Sequence, residues 1–159
     1  MRILAIKCRR LGDTVLWTAA LEALLQQFPD AEIDLALPAE YAALFASHPQ
    51  FKTLFLVKGD KAGRSDLGAQ WRKRAYDLAL VFHASPSTLA LGRSARAKKI
   101  LVHHHDRRGK NFGSDLRIAN LGKPMPATER DINVVRTLGF TGEAPNTRIY
   151  CAPEWKERA

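Results

Sequence analysis

Short apolar runs alternate along this chain with stretches whose apolar residues return every three or four positions. Ile3 to Lys7 reads as a strand, and from Thr14 to Phe28 the residues Val15, Leu16, Ala19, Ala20, Ala23 and Leu24 recur at helical spacing. Pro29-Asp30 ends that helix. Glu32 to Leu37 predicts a second strand, Pro38 opens a helix over Ala39 to Ala46, and Thr53 to Val57 predicts a third strand. A polar loop over Lys58 to Ser65 precedes a helix with a basic face, Asp66 to Ala75, and a fourth strand, Asp77 to Phe82. Ser85-Pro86 is an N-cap followed by proline in the first turn of the next helix. Lys99 to His103 predicts a fifth strand, Asp106 to Pro126 is irregular, and Thr128 to Leu138 is a last clear helix that Gly139 terminates. The chain finishes with a strand-like Arg148 to Cys151, and Pro153 to Ala159 has the pattern of the first turns of a helix.

Strands that alternate with helices predict an α/β architecture: a Rossmann-like three-layer domain whose mostly parallel sheet is covered on both faces. At 159 residues the chain has the length of about one domain. The two cysteines, Cys8 and Cys151, fit neither a disulfide framework nor a zinc pattern, which points to a reducing, cytoplasmic compartment. The apolar run Ile3 to Ile6 is too short for a signal peptide. No later stretch approaches the roughly 20 apolar residues of a membrane span, so the expectation is a soluble or at most peripheral protein.

Charge adds a direction. Residues 58–110 carry 13 basic and 4 acidic side chains, while the segments on either side are close to neutral, so the whole excess of +9 sits in the middle third. A local basic surface favours a polyanionic partner: phosphorylated glycolipid, anionic membrane or nucleic acid. Nucleic acid is the least favoured of these. A nucleic-acid module interleaves aromatics with its cations, and this segment has only Trp71, Tyr76 and Phe82, two of them in or beside a predicted strand.

The first strand runs into its helix through Arg9-Arg10-Leu11-Gly12-Asp13. Such a turn lies at the carboxyl edge of the sheet, where open α/β folds bind ligands. One glycine does not make a dinucleotide-binding G-x-G-x-x-G, and an aspartate would repel a pyrophosphate. A carboxylate held ionised by a helix N-terminus instead suits a neutral hydroxyl whose proton has to be removed. The alternative is that Asp13 simply caps the helix. Ser85 offers backbone amides at the same edge, although capping alone accounts for it. His103-His104-His105-Asp106 does not predict a metal site, because adjacent residues at a strand end point in different directions.

Residues 1–49, from the first strand through the G-D turn, the helix with its T-x-A-L core and "FPDAEID", resemble the amino-terminal signature of the ADP-heptose:lipopolysaccharide heptosyltransferases, glycosyltransferase family nine. "YDLALVF" followed by a short helix, and "TERDINVVRTLG", match later landmarks of that family, so the resemblance covers nearly the whole chain. It implies the amino-terminal half of a two-domain GT-B enzyme, with residues 1–147 as the acceptor-binding domain and 148–159 as the start of a linker to a donor-binding domain outside this chain. It also implies inverting transfer of heptose, with Asp13 as the catalytic base, no metal or other cofactor, and ADP-heptose or another nucleotide-sugar held mainly by the second domain. The acceptor would be lipopolysaccharide core or another anionic glycan, met at the inner face of the cytoplasmic membrane. The residues expected to bind it are Arg9, Arg10 and Gly12 around the base, Lys58, Lys61 and Arg64 after the third strand, and Ser85; Arg107, Arg108, Lys110 and Arg117 are weaker candidates. Arg9-Arg10, Ala20 and Pro126 depart from the small polar pair, the proline and the histidine common there, which bears on the acceptor more than on the fold. Alone, such a half is expected to be inactive as a transferase. The competing reading is a stand-alone binding module for an anionic glycan, lipid or other polyanion.

Overall fold

Strand β1 (Arg2–Ile6) lies at the centre of a five-stranded sheet, hydrogen-bonded on one side to β2 (Glu32–Pro38) and on the other to β4 (Leu78–Val81). With β3 (Leu54–Val57) and β5 (Lys99–Val102) at the edges, the order is β3-β2-β1-β4-β5, and every pairing is parallel. The computed structural model describes residues 1–51, 53–58, 61–103, 113–116, 118, 119, 122 and 125–150, with backbone alone at 61–64.

Strand side chains alternate between the two faces, and each face has its own core. Ile3, Ala5, Leu35, Leu37, Leu80 and Leu101 pack under α1 (Leu11–Gln27) and α4 (Ala127–Arg136). Leu4, Ile6, Ala36, Val81 and Val102 pack under α2 (Lys61–Arg74) and α3 (Pro86–Ser94). This is the three-layer α/β architecture that the alternating pattern predicts. Trp17 on α1 is fully buried, with Phe82 and Phe45 ring centroids at 5.5 and 5.9 Å. Gly92 lets α3 sit directly on the sheet, since a Cβ there would come within 2.6 Å of Val81 Cγ2. One charge enters the α2/α3 face: Asp34 of β2 is buried and satisfied by Arg74 Nη1 at 2.9 Å and by the Tyr76 hydroxyl.

Four expectations change. Helix α1 begins at Leu11 rather than Thr14, without a side-chain cap at Arg10; an exposed Leu11 and an arginine in the capping position give no start signal to periodicity. Ala39–Leu44 is a 3-10 helix with no buried residue, too short and too poorly packed to favour the α form. Helix α2 starts at Lys61, inside the stretch expected to be a loop. Residues 148–150 form no strand: the Arg148 amide donates to Thr18 Oγ1 at 3.0 Å, so the segment runs over α1 instead of joining a sheet edge. The β5 edge is covered by residues 114 and 115, with Asp115 N to Ile100 O at 2.8 Å and Val102 N to Ser114 Oγ at 3.1 Å.

Candidate functional site

The chain goes from β1 to β2 and β3 on one side of the sheet and returns to β4 and β5 on the other. This reversal leaves a crevice at the carboxyl ends of the strands, the general ligand position in open α/β sheets. Here it is a cavity of about 330 Å³ between the ends of β1 (Cys8, Arg9), β2 (Pro38, Glu40) and β3 (Val57, Lys58), closed by Ser87, Thr88 and Leu91 of α3.

Of the expected residues, Arg9 and Lys58 line this cavity together, although they lie on different strand ends. Asp13 does not line it. It is the third residue of α1, not its cap, and its Oδ2 accepts from Arg9 Nε at 3.1 Å. Arg9 therefore links the two parts of the site: it lines the cavity, and its guanidinium pairs with the carboxylate. Asp13 is a quarter exposed, while Arg10, Leu11 and Gly12 are exposed. A Cβ at Gly12 would meet nothing within 4 Å, so the approach to this turn is open. The first amides of α1 have no side-chain cap, and a helix N-terminus in that state favours an anion.

Ser85 serves the fold. Its Oγ accepts from Thr88 N at 3.2 Å while Thr88 Oγ1 accepts from Ser85 N at 3.1 Å, a reciprocal cap that occupies the hydroxyl. Lys61 and Arg64 stand in the first turns of α2, and their side chains lie outside the described residues, as do Arg107, Arg108, Lys110, Arg117, His104, His105 and Cys151. His103 is described and buried. Among the described residues no three potential metal ligands come together.

Several residues of the site escaped the sequence reading. Glu40 adds a carboxylate to the cavity mouth, and its place just past the end of β2 was the available signal. Burial pushes the Cys8 thiol up to about 11, so the sulfur lining the cavity is a neutral thiol. Beneath the turn, Lys7 donates to Asp131 of α4, both almost fully buried; nothing in the sequence spacing pairs residues 124 positions apart.

The described residues thus form a parallel α/β sheet whose crevice at the reversal point brings Arg9, Lys58 and Glu40 together, with an arginine-paired carboxylate on the first helix. The chain is 27% identical to lipopolysaccharide heptosyltransferase 3 of Escherichia coli K12, over 92% of its own length and 45% of that protein's. It superposes on the glycosyl transferase family 9 structure from Veillonella parvula with a TM-score of 0.84 at 22% identity, covering 99% of this chain and 47% of the other. Against the E. coli ADP-heptose lipopolysaccharide heptosyltransferase II structure the TM-score is 0.77 at 21% identity, with 99% and 49% covered. No family model matches the chain. It thus resembles the heptosyltransferases of glycosyltransferase family nine, has the fold of one half of them, and spans about half the length of the curated relative it matches.

Proposed function

We propose that this chain is the acceptor-binding, base-carrying half of an inverting glycosyltransferase of the heptosyltransferase type. The observation that carries the reading is the Arg9–Asp13 pair: a carboxylate in the first turn of α1, held at 3.1 Å by an arginine that also lines the crevice with Lys58. In the reaction, a hydroxyl of the acceptor attacks the anomeric carbon of the donor sugar from the face opposite the leaving nucleotide. The new C–O bond forms as the bond to the diphosphate breaks, and the hydroxyl proton goes to Asp13. Arg9 and Lys58 hold phosphate or carboxylate groups of the acceptor, for which a guanidinium fork is well matched. Glu40 accepts from neutral sugar hydroxyls at the same mouth.

The donor, ADP-heptose or another nucleotide-sugar, binds in this reading to a carboxyl-terminal half, and the chain alone has no transferase activity. The work is done at the cytoplasmic face of the membrane that carries the acceptor. The second reading, a stand-alone receptor for polyanions, draws on the exposed Arg72, Lys73, Arg96 and Lys99 of the basic segment 58–110, none of which lines the crevice.

Calorimetric titration with deacylated lipopolysaccharide inner core, at two salt concentrations and with ADP-heptose in parallel, tests this. The acceptor-half reading expects salt-sensitive core binding, no donor binding, and a loss of about tenfold or more in Arg9→Ala/Lys58→Ala. Core binding that this double variant leaves intact, while heparin competes equally, would favour the polyanion receptor. No core binding at all would remove the acceptor assignment.

A further inference from the structure

Two charges are buried beneath the Asp13 turn. Lys7, the residue after β1, is 3% exposed and Asp131 of α4 is 2% exposed. The Lys7 ammonium donates to Asp131 Oδ2, and the Lys7 amide donates to Ala36 O at 3.0 Å, so the lysine is fixed to the sheet by its backbone and to α4 by its side chain. Asp131 is buried on α4 along with the apolar Ile132, Val134 and Val135 and with Asn133, whose amide donates to Ala119 O at 2.8 Å. Taking both ions out of water costs several kcal/mol each, and an apolar pair of similar size often holds such a place as well or better. Packing strength therefore does not explain the pair.

Its location does. Lys7 stands two residues before Arg9 and six before Asp13, and Asp131 is near enough to Asp13 to feel its charge: burial raises the Asp131 carboxyl to about 6, Lys7 and Arg130 pull it down, and Asp13 pushes it up again. We propose that the buried Lys7–Asp131 pair is the positioning device of the Asp13 turn, tying α4 to the end of β1 so that the first turn of α1 is held in one place above a balanced pair of charges. The proposal rests on the reading of Asp13 as the base. Lys7 and Asp131 are positioning residues, since neither reaches the surface. With Asp131 ionised, Lys7 is neutralised; with Asp131 protonated, an uncompensated ammonium lies beneath the base.

Carboxyl-carbon NMR titration of the 159-residue chain between pH 3 and 8 tests this without acceptor or donor, so a chain that binds no core still answers it. In Asp13→Asn the Asp131 midpoint is expected to fall by roughly half a pH unit or more, because a like charge has been removed. In Asp131→Asn the backbone amides of Arg9 to Asp13 are expected to shift, while those of β5, across the sheet, stay in place. An Asp131 midpoint unchanged by Asp13→Asn, or amides of the turn unmoved by Asp131→Asn, would overturn the proposal. Asp13 is partly exposed, so Asp13→Asn is expected to keep the fold, and that arm decides the matter even where Asp131→Asn does not fold.

Discussion

Tyr150 lies against His48 with ring centroids 4.1 Å apart, and its hydroxyl donates to Glu22 Oε1 at 3.0 Å, the same oxygen that His48 Nε2 meets at 3.4 Å. The segment after residue 147 is thereby fastened to α1, the helix that carries Asp13. Phe51 also stacks on the imidazole, with ring centroids 4.1 Å apart, and the ring is buried.

This latch responds to pH. Burial holds the His48 imidazole below its ordinary 6.5 despite the opposing effect of Glu22; the Tyr150 hydroxyl shares that carboxylate, and Arg148 meets Tyr150 in turn. A depressed folded-state pKa means that the unfolded chain binds the proton first. The stabilising contribution is complete above pH 6.5 and is lost as pH falls through the lowered value. Chemical denaturation at pH 7.5 and 5 should show a loss of stability that His48→Gln reduces. Tyr150→Ala should cost about 1–2 kcal/mol at pH 7.5, from one hydrogen bond and part of a ring.

Asp13→Asn, introduced into a protein carrying both halves, should lower turnover by about 10²–10⁴-fold with acceptor affinity nearly unchanged, since the amide keeps the shape and loses the base. Steady-state kinetics alongside core titration would check this. Wild-type turnover would remove the general-base role.

Cys8 should react slowly. With its thiol near 11, the thiolate fraction at pH 7.5 is far below that of a free cysteine. Iodoacetamide labelling followed by peptide mass analysis should find Cys8 hardly modified at pH 7.5, its rate rising through pH 10 to 11. A ligand in the crevice, which Cys8 lines, should slow it further.

Ala75, the residue after α2, has φ +51°, a left-handed conformation that an L side chain adopts only at a cost. It is exposed, so nothing holds its methyl group. Ala75→Gly should stabilise the chain by about 0.5–1 kcal/mol, read as a higher denaturation midpoint at constant slope. Arg96, at φ +50°, offers an independent repeat of the measurement.

The sequence by itself determined the order of elements, because burial on both faces of a parallel sheet writes each strand as an apolar run and each covering helix as a periodic one. Ser85-Pro86 marked a helix start correctly because capping is local chemistry, while Gly139, at φ +99°, lies in the turn just past α4, which ends two residues before the Leu138 expected. The start of α1 was misplaced because Arg10, at its capping position, gives no capping signal; the start of α2 at Lys61 was missed although Asp60, a residue type that favours the N-cap, precedes it in the sequence, because glycine and charge around it read as a loop. Asp13 could be singled out because a strand, a turn and a helix in succession already fix where that turn lies. Tertiary structure decided the rest. Only the sheet order brings Arg9 and Lys58 to one cavity with Glu40, and only the packing of α4 on α1 carries Asp131 across 124 residues to Lys7. Contacts of that range depend on how layers stack, and no periodicity along the chain records them.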